Sequence, residues 1–507
     1  MSLYITTAIP FVNARPHLGF ALELCITDAI ARHARARGSS VQLVSGTDDH
    51  SLKNVLAAER AGRTTHAFVT EQAQLFQQLA AALEISVDRF VQTSQSEDHR
   101  PAVYALWRAC EARGDLFRKP YRGLYCVGCE RFAEPGEQRC PEHATLLEWV
   151  EETNWFFRLP RYAELIRSKI ESGELDISNT GAREETLAFL REPLRDLCVS
   201  RSAQRARGWG LPVPGDPSQV IWVWFDALAY YLSALRHAAA DGGDVTQFWE
   251  NAQRLHVIGK GVTRFHAVFW PAILASAGLA LPSELLVHGY LTLDGVKISK
   301  SGRSLDPFPL IEQYGVDALR YYLLRHVRTG RDGDFSQERF IQAYNAELAN
   351  GLGNLANRLL GLLQRATQGV LPEVSEPPPE CATLHAQTLQ LRTRVAEALD
   401  ARELDTALDN IFELIAAANR CIDQTAPWSL IKTGSIASAT RILRSLFETL
   451  SAISVELAPF LPKTARDLGR ALHLTPEGKL HTKATLPPSL TLFPRILRDT
   501  SNAESIS

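Results

Sequence analysis

The sequence predicts an α/β fold built on a parallel sheet, interrupted by an insertion and followed by an all-helical part. Three observations predict it. The first fifty residues read as strand, helix and strand. The character of the chain changes between residues 120 and 215, and from about Gln337 onward helical periodicity takes over. At 507 residues the chain has room for about three domains.

Each element has its own warrant. Residues 4–8 are a short apolar and threonine run, and a loop marked by Pro, Asn and Gly follows over 10–19. Leu18, Ala21, Leu22, Cys25, Ile26, Ala29 and Ile30 then recur at helical spacing, one apolar stripe. Gly38 stops that helix. The strand over 41–44 runs into a polar loop, Gly46-Thr47-Asp48-Asp49-His50. Ligands of open α/β sheets bind at such C-terminal strand ends. Between 120 and 215, Gly, Cys and Pro punctuate short strands, with acidic and aromatic segments over 149–157 and 179–190. Strands return at 220–224, 255–258 and 285–288. Helices are expected over 341–363, 386–399, 404–423 and 438–457, with a proline-rich loop over 372–380 and a frayed tail after about Pro487.

Composition narrows the classes. The chain is 45% hydrophobic and 22% charged, which excludes wholesale disorder. Its net charge of −3 excludes a histone-like protein but leaves room for a local basic face. No apolar run is long enough to span a membrane, and the N-terminus reads as a strand rather than a leader. Eight cysteines are too few for a disulfide scaffold, so a reducing cytoplasm is expected.

Three constellations carry chemistry. Pro16-His17-Leu18-Gly19-Phe20 stands at a loop-to-helix junction, where unpaired N–H groups suit phosphate and Gly19 admits close approach. Lys297-Ile298-Ser299-Lys300-Ser301 puts two lysines and two hydroxyls in one loop, a clamp for charge developing on a pyrophosphate leaving group. Cys126-x2-Cys129 and Cys140-x2-His143 have zinc-knuckle spacing, and a closed Cys3His set is structural rather than catalytic.

Together, the His17 element and the lysine loop resemble the two signatures of class I aminoacyl-tRNA synthetases. Further stretches narrow the resemblance to the methionyl enzymes. These include Val223-Trp224-Phe225-Asp226-Ala227-Leu228, Phe265-His266-Ala267-Val268-Phe269-Trp270, Val287-His288-Gly289-Tyr290, Asn354-Leu355-Ala356-Asn357-Arg358 and Thr425-Ala426-Pro427-Trp428. The resemblance runs from about residue 3 to residue 495. It implies a Rossmann-type catalytic domain over 1–115 and 215–289, with a zinc-bearing connective-peptide insertion over 116–214. A lysine-loop and stem-contact region follows over 290–345, then an α-helical anticodon-binding domain with its tail over 346–507.

The implied function is methionine–tRNA ligase: ATP-dependent activation of methionine to methionyl-adenylate, then transfer to the 3′ end of tRNA(Met). His17, Lys297 and Lys300 are implied to carry catalysis. Gly19, Phe20, Gly259, His288, Ser299 and Ser301 bind ATP, with Mg²⁺ on the phosphates. Asp48 holds the substrate ammonium. Ile9, Phe11, Trp224, Ala227, Leu228, Tyr231, His266 and Trp270 line the side-chain pocket, aromatic edges favouring sulfur. Arg201 matches an arginine near the reacting groups. Asn354, Arg358 and Trp428 read the CAU anticodon. Cys126, Cys129, Cys140 and His143 hold one structural Zn²⁺. A monomer is expected, since the chain ends soon after the bundle.

Four positions depart from the family pattern. Phe20 replaces a histidine, and is expected to face ATP because it lies off the apolar stripe. Gly261 stands in place of an aspartate that reaches the ribose. Ser51 replaces a glycine, and the loop exit over 301–307 is one residue short. The departures fit a divergent or secondary copy. They leave two other readings open: a ligase passing its adenylate to a small-molecule acceptor, and a tRNA-binding protein without catalysis.

Overall fold

The computed structural model describes residues 2–126, 131–132, 137–140, 145–240, 249–293, 296–297, 305–371, 373, 376–475, 478–480 and 485–497, with backbone alone for 131–132, 236–240 and 296–297. The chain divides into two units, Met1–Tyr290 with Lys297–Phe308, and Leu291–Val296 with Pro309–Ser507.

The first unit is built on six parallel strands. Their order across the sheet is Arg89–Gln92, Ser40–Thr47, Ser2–Thr7, Gln253–Gly259, Glu284–His288 and Asp176–Ile177. From Ser2–Thr7 the chain winds outward through the next two strands on one side, then returns to build the other side. The order therefore reverses between Ser2–Thr7 and Gln253–Gly259. A crevice opens at the C-terminal ends of strands at such a reversal. Ala8 N–H crosses it to Val257 O at 3.1 Å.

Four expectations are corrected here. The second strand extends to Thr47, so Gly46 and Thr47 are strand rather than loop. A Cβ on Gly46 would stand 2.1 Å from Val91 O, so only glycine lets these strands approach. The first helix, Leu18–Ala36, is buried at Leu18 and throughout Phe20 to Ala31 instead of along one stripe, because neighbouring elements cover more than one of its faces. Residues 220–224 are not a strand of the parallel sheet. Asp216–Ile221 pairs antiparallel with Ser200–Ser202 in a separate sheet, and Val223–Leu228 is a short helix capped by Trp222. The insertion carries two long strands, Leu116–Cys126 and Glu148–Phe157, paired antiparallel along ten residues. Val150, Asn154 and Phe156 turn inward at the strand period of two. Asp176–Ile177, within the 116–214 span, forms the edge of the parallel sheet.

The second unit is helical: Val316–Arg325, Gln337–Ala343, Asn354–Thr367, Ala382–Asp400, Leu404–Thr425, Ile436–Leu457 and Pro462–Ala471. Leu291–Leu293 pairs with Gly333–Phe335 as a short parallel ladder. Arg320 is fully buried, and its guanidinium is satisfied by Phe460 O at 2.7 Å and Pro459 O at 3.0 Å. The expected helix over 341–363 is one rod containing a π-helical run, Tyr344–Gly353. Periodicity cannot reveal such a run, since its side chains drift off the 3.6-residue repeat. In the proline-rich stretch, Pro379–Cys381 already winds as a 3₁₀ turn into the next helix.

Candidate active site and nucleic-acid face

The crevice is floored by backbone. Residues leaving Ser2–Thr7 form its near wall, where Phe11 makes a parallel bridge with Asp48 and Asp48 N–H donates to Pro10 O at 3.0 Å. Asp48 is thus held at the end of its strand, only 2% exposed. Asn54 fastens the turn beyond it, donating to Asp48 O at 3.0 Å and Asp49 O at 2.8 Å. Asp49 points the other way, taking bonds from Thr47 Oγ1 and Ser94 Oγ, and burial pushes its carboxyl up. Ser51, a departure at sequence level, caps the helix Leu52–Arg60 by accepting from Lys53 N–H at 3.1 Å. Serine is a strong N-cap, which explains the substitution locally.

An aromatic pocket adjoins Asp48. Trp224 stacks on Phe265 at 3.6 Å between centroids and meets Phe11 edge-on at 6.2 Å. Behind them, Tyr231 lies 5.7 Å from Trp270 and stacks on His256 at 4.0 Å. Tyr231 O–H donates to His266 Nε2 at 2.7 Å, while His266 Nδ1–H donates to Val262 O at 2.9 Å. Burial pushes His266 down to about 4, so the imidazole is neutral at pH 7. His266 sits in a π-helical turn, Phe265–Phe269, a local distortion that frequently marks functional positions. Ala227 and Leu228 are buried on the helix that carries Trp224, and Ile9 is partly buried against the same core. Among the described residues, the indole N–H groups of Trp224 and Trp270 meet no hydrogen-bond acceptor. A neutral aromatic cluster beside a fixed carboxylate suits a cationic head with an apolar or thioether tail.

The second half of the crevice begins at His17, the N-cap of the first helix. Its Nδ1 accepts from Gly19 N–H at 3.0 Å, which leaves the proton on Nε2 and makes that atom a donor. Phe20 follows in the same helix. Its ring is 6% exposed and packs edge-on against Phe76 at 5.3 Å. Burying a phenyl ring is worth about 2 kcal/mol, and the ring gains nothing in a polar groove. His288 lies across the crevice with both ring nitrogens facing acceptors: Glu23 Oε2 at 2.9 Å and Gly289 O at 2.9 Å. Glu23 also accepts from Ala8 N–H at 2.8 Å, tying the two central strand ends together. Gly259 borders His288, and a Cβ there would stand 3.5 Å from its Cε1. At Gly261 a Cβ would stand 2.6 Å from the Tyr290 hydroxyl, so that tyrosine holds the room a longer residue needs.

Ser299, Lys300 and Ser301 lie outside the described residues, as does the side chain of Lys297. The exit of their segment is anchored beside His17: Leu18 N–H donates to Leu305 O at 3.2 Å, and Arg15 Nε to Asp306 Oδ2 at 2.9 Å. Arg201 is buried, its guanidinium over Tyr125 at 5.1 Å and bonded to Ser200 O at 2.7 Å. Cys126 and Cys140 are each 1% exposed in the insertion, whereas Cys129 and His143 lie outside the described residues.

In the helical unit, Asn354 opens its helix directly after the π-helical run, with Arg358 one turn on. Asn354 Nδ2 faces Asn419 Oδ1 at 3.4 Å, and Arg358 Nη2 bonds Asp423 Oδ1 at 2.6 Å. Asn419 and Asp423 are themselves i, i+4 on Leu404–Thr425, so two matched pairs form a ladder. Arg358 also lies 5.7 Å over the Trp428 ring, which is 41% exposed. Ala426, in the left-handed region at φ +42°, turns the chain so that Pro427–Lys432 starts a new helix with Trp428 outward.

Sequence reasoning missed Phe265, His256, Glu23, Tyr290, Asn419 and Asp423. Phe265 and Tyr290 lie inside quoted motifs, and the 419/423 spacing was a usable signal. Glu23 and His256 gave none, because only the fold brings them to the crevice.

The family described as tRNA synthetases class I (M) matches residues 3–148 and 137–360, and the anticodon binding domain of methionyl tRNA ligase matches residues 371–489. The methionine–tRNA ligase of Thermotoga maritima is 36% identical over 98% of this chain and 80% of its own. That of Brucella suis is 38% identical over 92% of this chain and 90% of its own. The Mycobacterium tuberculosis methionyl-tRNA synthetase in complex with methionyl-adenylate superposes with a TM-score of 0.91 at 36% identity, covering 97% of this chain and 100% of that one.

Proposed function

The chain belongs to the methionyl class I tRNA synthetases, and we propose that the crevice residues divide the work of methionine activation among themselves. The activity is that of a methionine–tRNA ligase. The methionine carboxylate attacks the α-phosphate of ATP, giving methionyl-adenylate and pyrophosphate. A ribose hydroxyl at the tRNA 3′ end then displaces AMP from the adenylate. Neither step needs a protein nucleophile, so catalysis is positioning and charge stabilisation.

Asp48 takes the substrate ammonium. Phe11, Trp224, Phe265, Tyr231, His266 and Trp270 enclose the thioether, with Ile9, Ala227 and Leu228 closing its sides. A neutral His266, already bonded to Tyr231, adds polarity without charge, as an uncharged sulfur requires. His17 Nε2–H donates to phosphate at the helix N-terminus, where the dipole adds to it. Lys297 and Lys300 meet the charge developing on pyrophosphate, with Ser299 and Ser301 beside them, while Gly19, Gly259 and His288 frame the nucleotide. Mg²⁺, when bound, neutralises phosphate charge. Phe20 belongs to the packing under this site rather than to the phosphates. In the insertion, two buried thiols in a set of three thiols and an imidazole suit a structural Zn²⁺ bound by Cys126, Cys129, Cys140 and His143. Asn354, Arg358 and Trp428 take splayed anticodon bases. The species expected is a cytoplasmic monomer; among the described residues no helix is long and apolar enough to cross a membrane.

The observation that carries this reading is the conjunction of a fixed carboxylate and a neutral aromatic pocket, in a fold matched throughout to an adenylate-bound synthetase. Transfer to a small-molecule acceptor is not favoured, since an anticodon-binding domain occupies residues 371–489. ATP–pyrophosphate exchange with each of the twenty amino acids tests it, followed by charging of a CAU-anticodon tRNA. Exchange with methionine alone is expected, and exchange with another amino acid in its place overturns the reading. Phe20→His is expected to leave the exchange rate unchanged and to lower the Tm.

A further inference from the structure

One buried polar cluster remains without a role. Asp226 Oδ2 accepts from His50 Nδ1–H at 2.5 Å, and Asp226 Oδ1 from His99 Nε2–H at 2.7 Å. Ser233 Oγ stands 3.1 Å from His99 Nδ1 and completes the chain. The side chains of His50, His99 and Asp226 are 8%, 0% and 1% exposed. These three are the one group of metal-ligand type among the described residues. Their spacing argues for hydrogen bonds instead. A tetrahedral ion holding nitrogen and oxygen at about 2.1 Å would space them about 3.4 Å apart. Here one separation is an ordinary hydrogen-bond length and the other a short one, and both fall well under that spacing.

The ends of the chain make it more than core satisfaction. His50 belongs to the segment that carries Asp48, and its backbone N–H donates to Asp48 Oδ1 at 3.3 Å. Asp226 belongs to Val223–Leu228, between Trp224 and Ala227. The two bonds therefore join the carboxylate side of the pocket to the aromatic side, elements separated by 176 residues of chain. Charge reinforces the link. Burial pushes the Asp226 carboxyl up, but His50 and His99 outweigh it and hold the group well below the usual carboxylate range. Burial pushes His50 down, and Asp226 with Asp49 outweighs that, against an opposing contribution from Arg100.

We propose that Asp226 is a positioning residue for methionine: through His50 it fixes the Asp48 carboxylate against the helix that carries Trp224. This rests on the reading that Asp48 holds the methionine ammonium. An amide at 226 can accept only one of the two imidazole N–H groups, so Asp226→Asn breaks or inverts one bond. His50→Ala removes the same link from the other end. His50→Asn keeps it, because the asparagine Nδ2–H occupies the place of the imidazole Nδ1–H.

The test is methionine-dependent ATP–pyrophosphate exchange by the full chain carrying Asp226→Asn, His50→Ala, His50→Asn or Asp48→Ala, with KM measured for methionine and for ATP separately. Loosening a positioned group costs on the order of ten- to a hundredfold. The methionine KM is expected to rise by that amount in Asp226→Asn and in His50→Ala, with the ATP KM unchanged. His50→Asn is expected to stay near the parent value, and Asp226→Asn combined with His50→Ala to be no worse than the more severe of the two alone. Should Asp226→Asn fail to fold, the His50→Ala and His50→Asn pair decides alone. An unchanged methionine KM in His50→Ala, beside a raised one in Asp48→Ala, overturns the positioning chain and leaves the Asp48 reading standing. An unchanged KM in Asp48→Ala overturns both. Equal rises for methionine and ATP, or no rescue by His50→Asn, reduce the cluster to packing and also overturn the proposal.

Discussion

The aromatic cluster beside Asp48 and the face around Trp428 are built in opposite ways, and on the proposed reading they meet methionine and the anticodon by opposite physical strategies. In the pocket, Asp48, Tyr231, His266 and Trp270 are all buried, and Tyr231 and His266 are already hydrogen-bonded. On the anticodon face, Trp428 is 41% exposed and Arg358 pairs with an Asp423 whose side chain is 63% exposed. A buried constellation is rigid, and any change to it costs stability as well as binding. An exposed ion pair is worth no more than about 1 kcal/mol, so it can be exchanged for a base edge at little cost. A small, flexible amino acid needs a preformed cavity to be told from its analogues. RNA bases arrive splayed, already carrying hydrogen-bonding edges and stacking faces.

The most severe break in this contrast is Asp48→Ala. Removing one partner of a buried charge pair costs about 2–5 kcal/mol, so kcat/KM for methionine in the exchange reaction is expected to fall by at least about thirtyfold. Transfer from separately supplied methionyl-adenylate measures whether the loss lies in binding methionine.

A pH series separates the regions next. His266 is held neutral down to about 4, whereas an unfolded histidine titrates near 6.5. Between those values the unfolded chain binds the extra proton. Stability from this residue is therefore present above about 6.5 and is lost as the pH falls toward about 4, by up to roughly 3 kcal/mol. His50, with its raised value, contributes in the opposite sense: its share is present below about 6.5 and lost as the pH rises through its folded value. Urea unfolding of the parent and of His266→Gln between pH 7.5 and 4.5 checks the first sign, and a shallower acid loss in the variant is expected.

Trp428→Ala sharpens the other side. Loss of a stacking plate costs about 1–3 kcal/mol of RNA affinity. The KM for tRNA in charging is expected to rise roughly tenfold, with methionine-dependent exchange and Tm unchanged. A fall in exchange would end the contrast between the two regions.

Ala426→Gly gives the smallest effect. A non-glycine residue at φ +42° carries about 1 kcal/mol of strain, which glycine relieves. A small gain in unfolding free energy, with tRNA charging retained, is expected.

Elements with strong local signals were legible in the sequence. The first helix, the helices of the second unit and the central strands follow from periodicity, and the end of the first helix from Gly38, which stands at φ +81°. Residues 220–224 misled because an apolar run of five is equally a strand or a buried helical turn. The contact of Phe20 with Phe76 was not legible, because helical spacing assigns one apolar face, whereas this helix is covered on several sides.

By itself the sequence determined the chemistry available: the carboxylate, the aromatic residues, the lysine loop, the thiols and the helical spacing of Asn354 and Arg358. Those are properties of residue type and of near neighbours along the chain, which short-range sterics and periodicity govern. Only the tertiary structure decided which of them meet. Tyr231 finds His266, Glu23 finds His288 and Asp226 finds His50 across 35, 265 and 176 residues of chain. The order reversal between the two central strands brings these ends to one crevice. No local rule encodes those pairings, because long-range contacts are selected by the packing of the whole sheet and not by the segments that carry them.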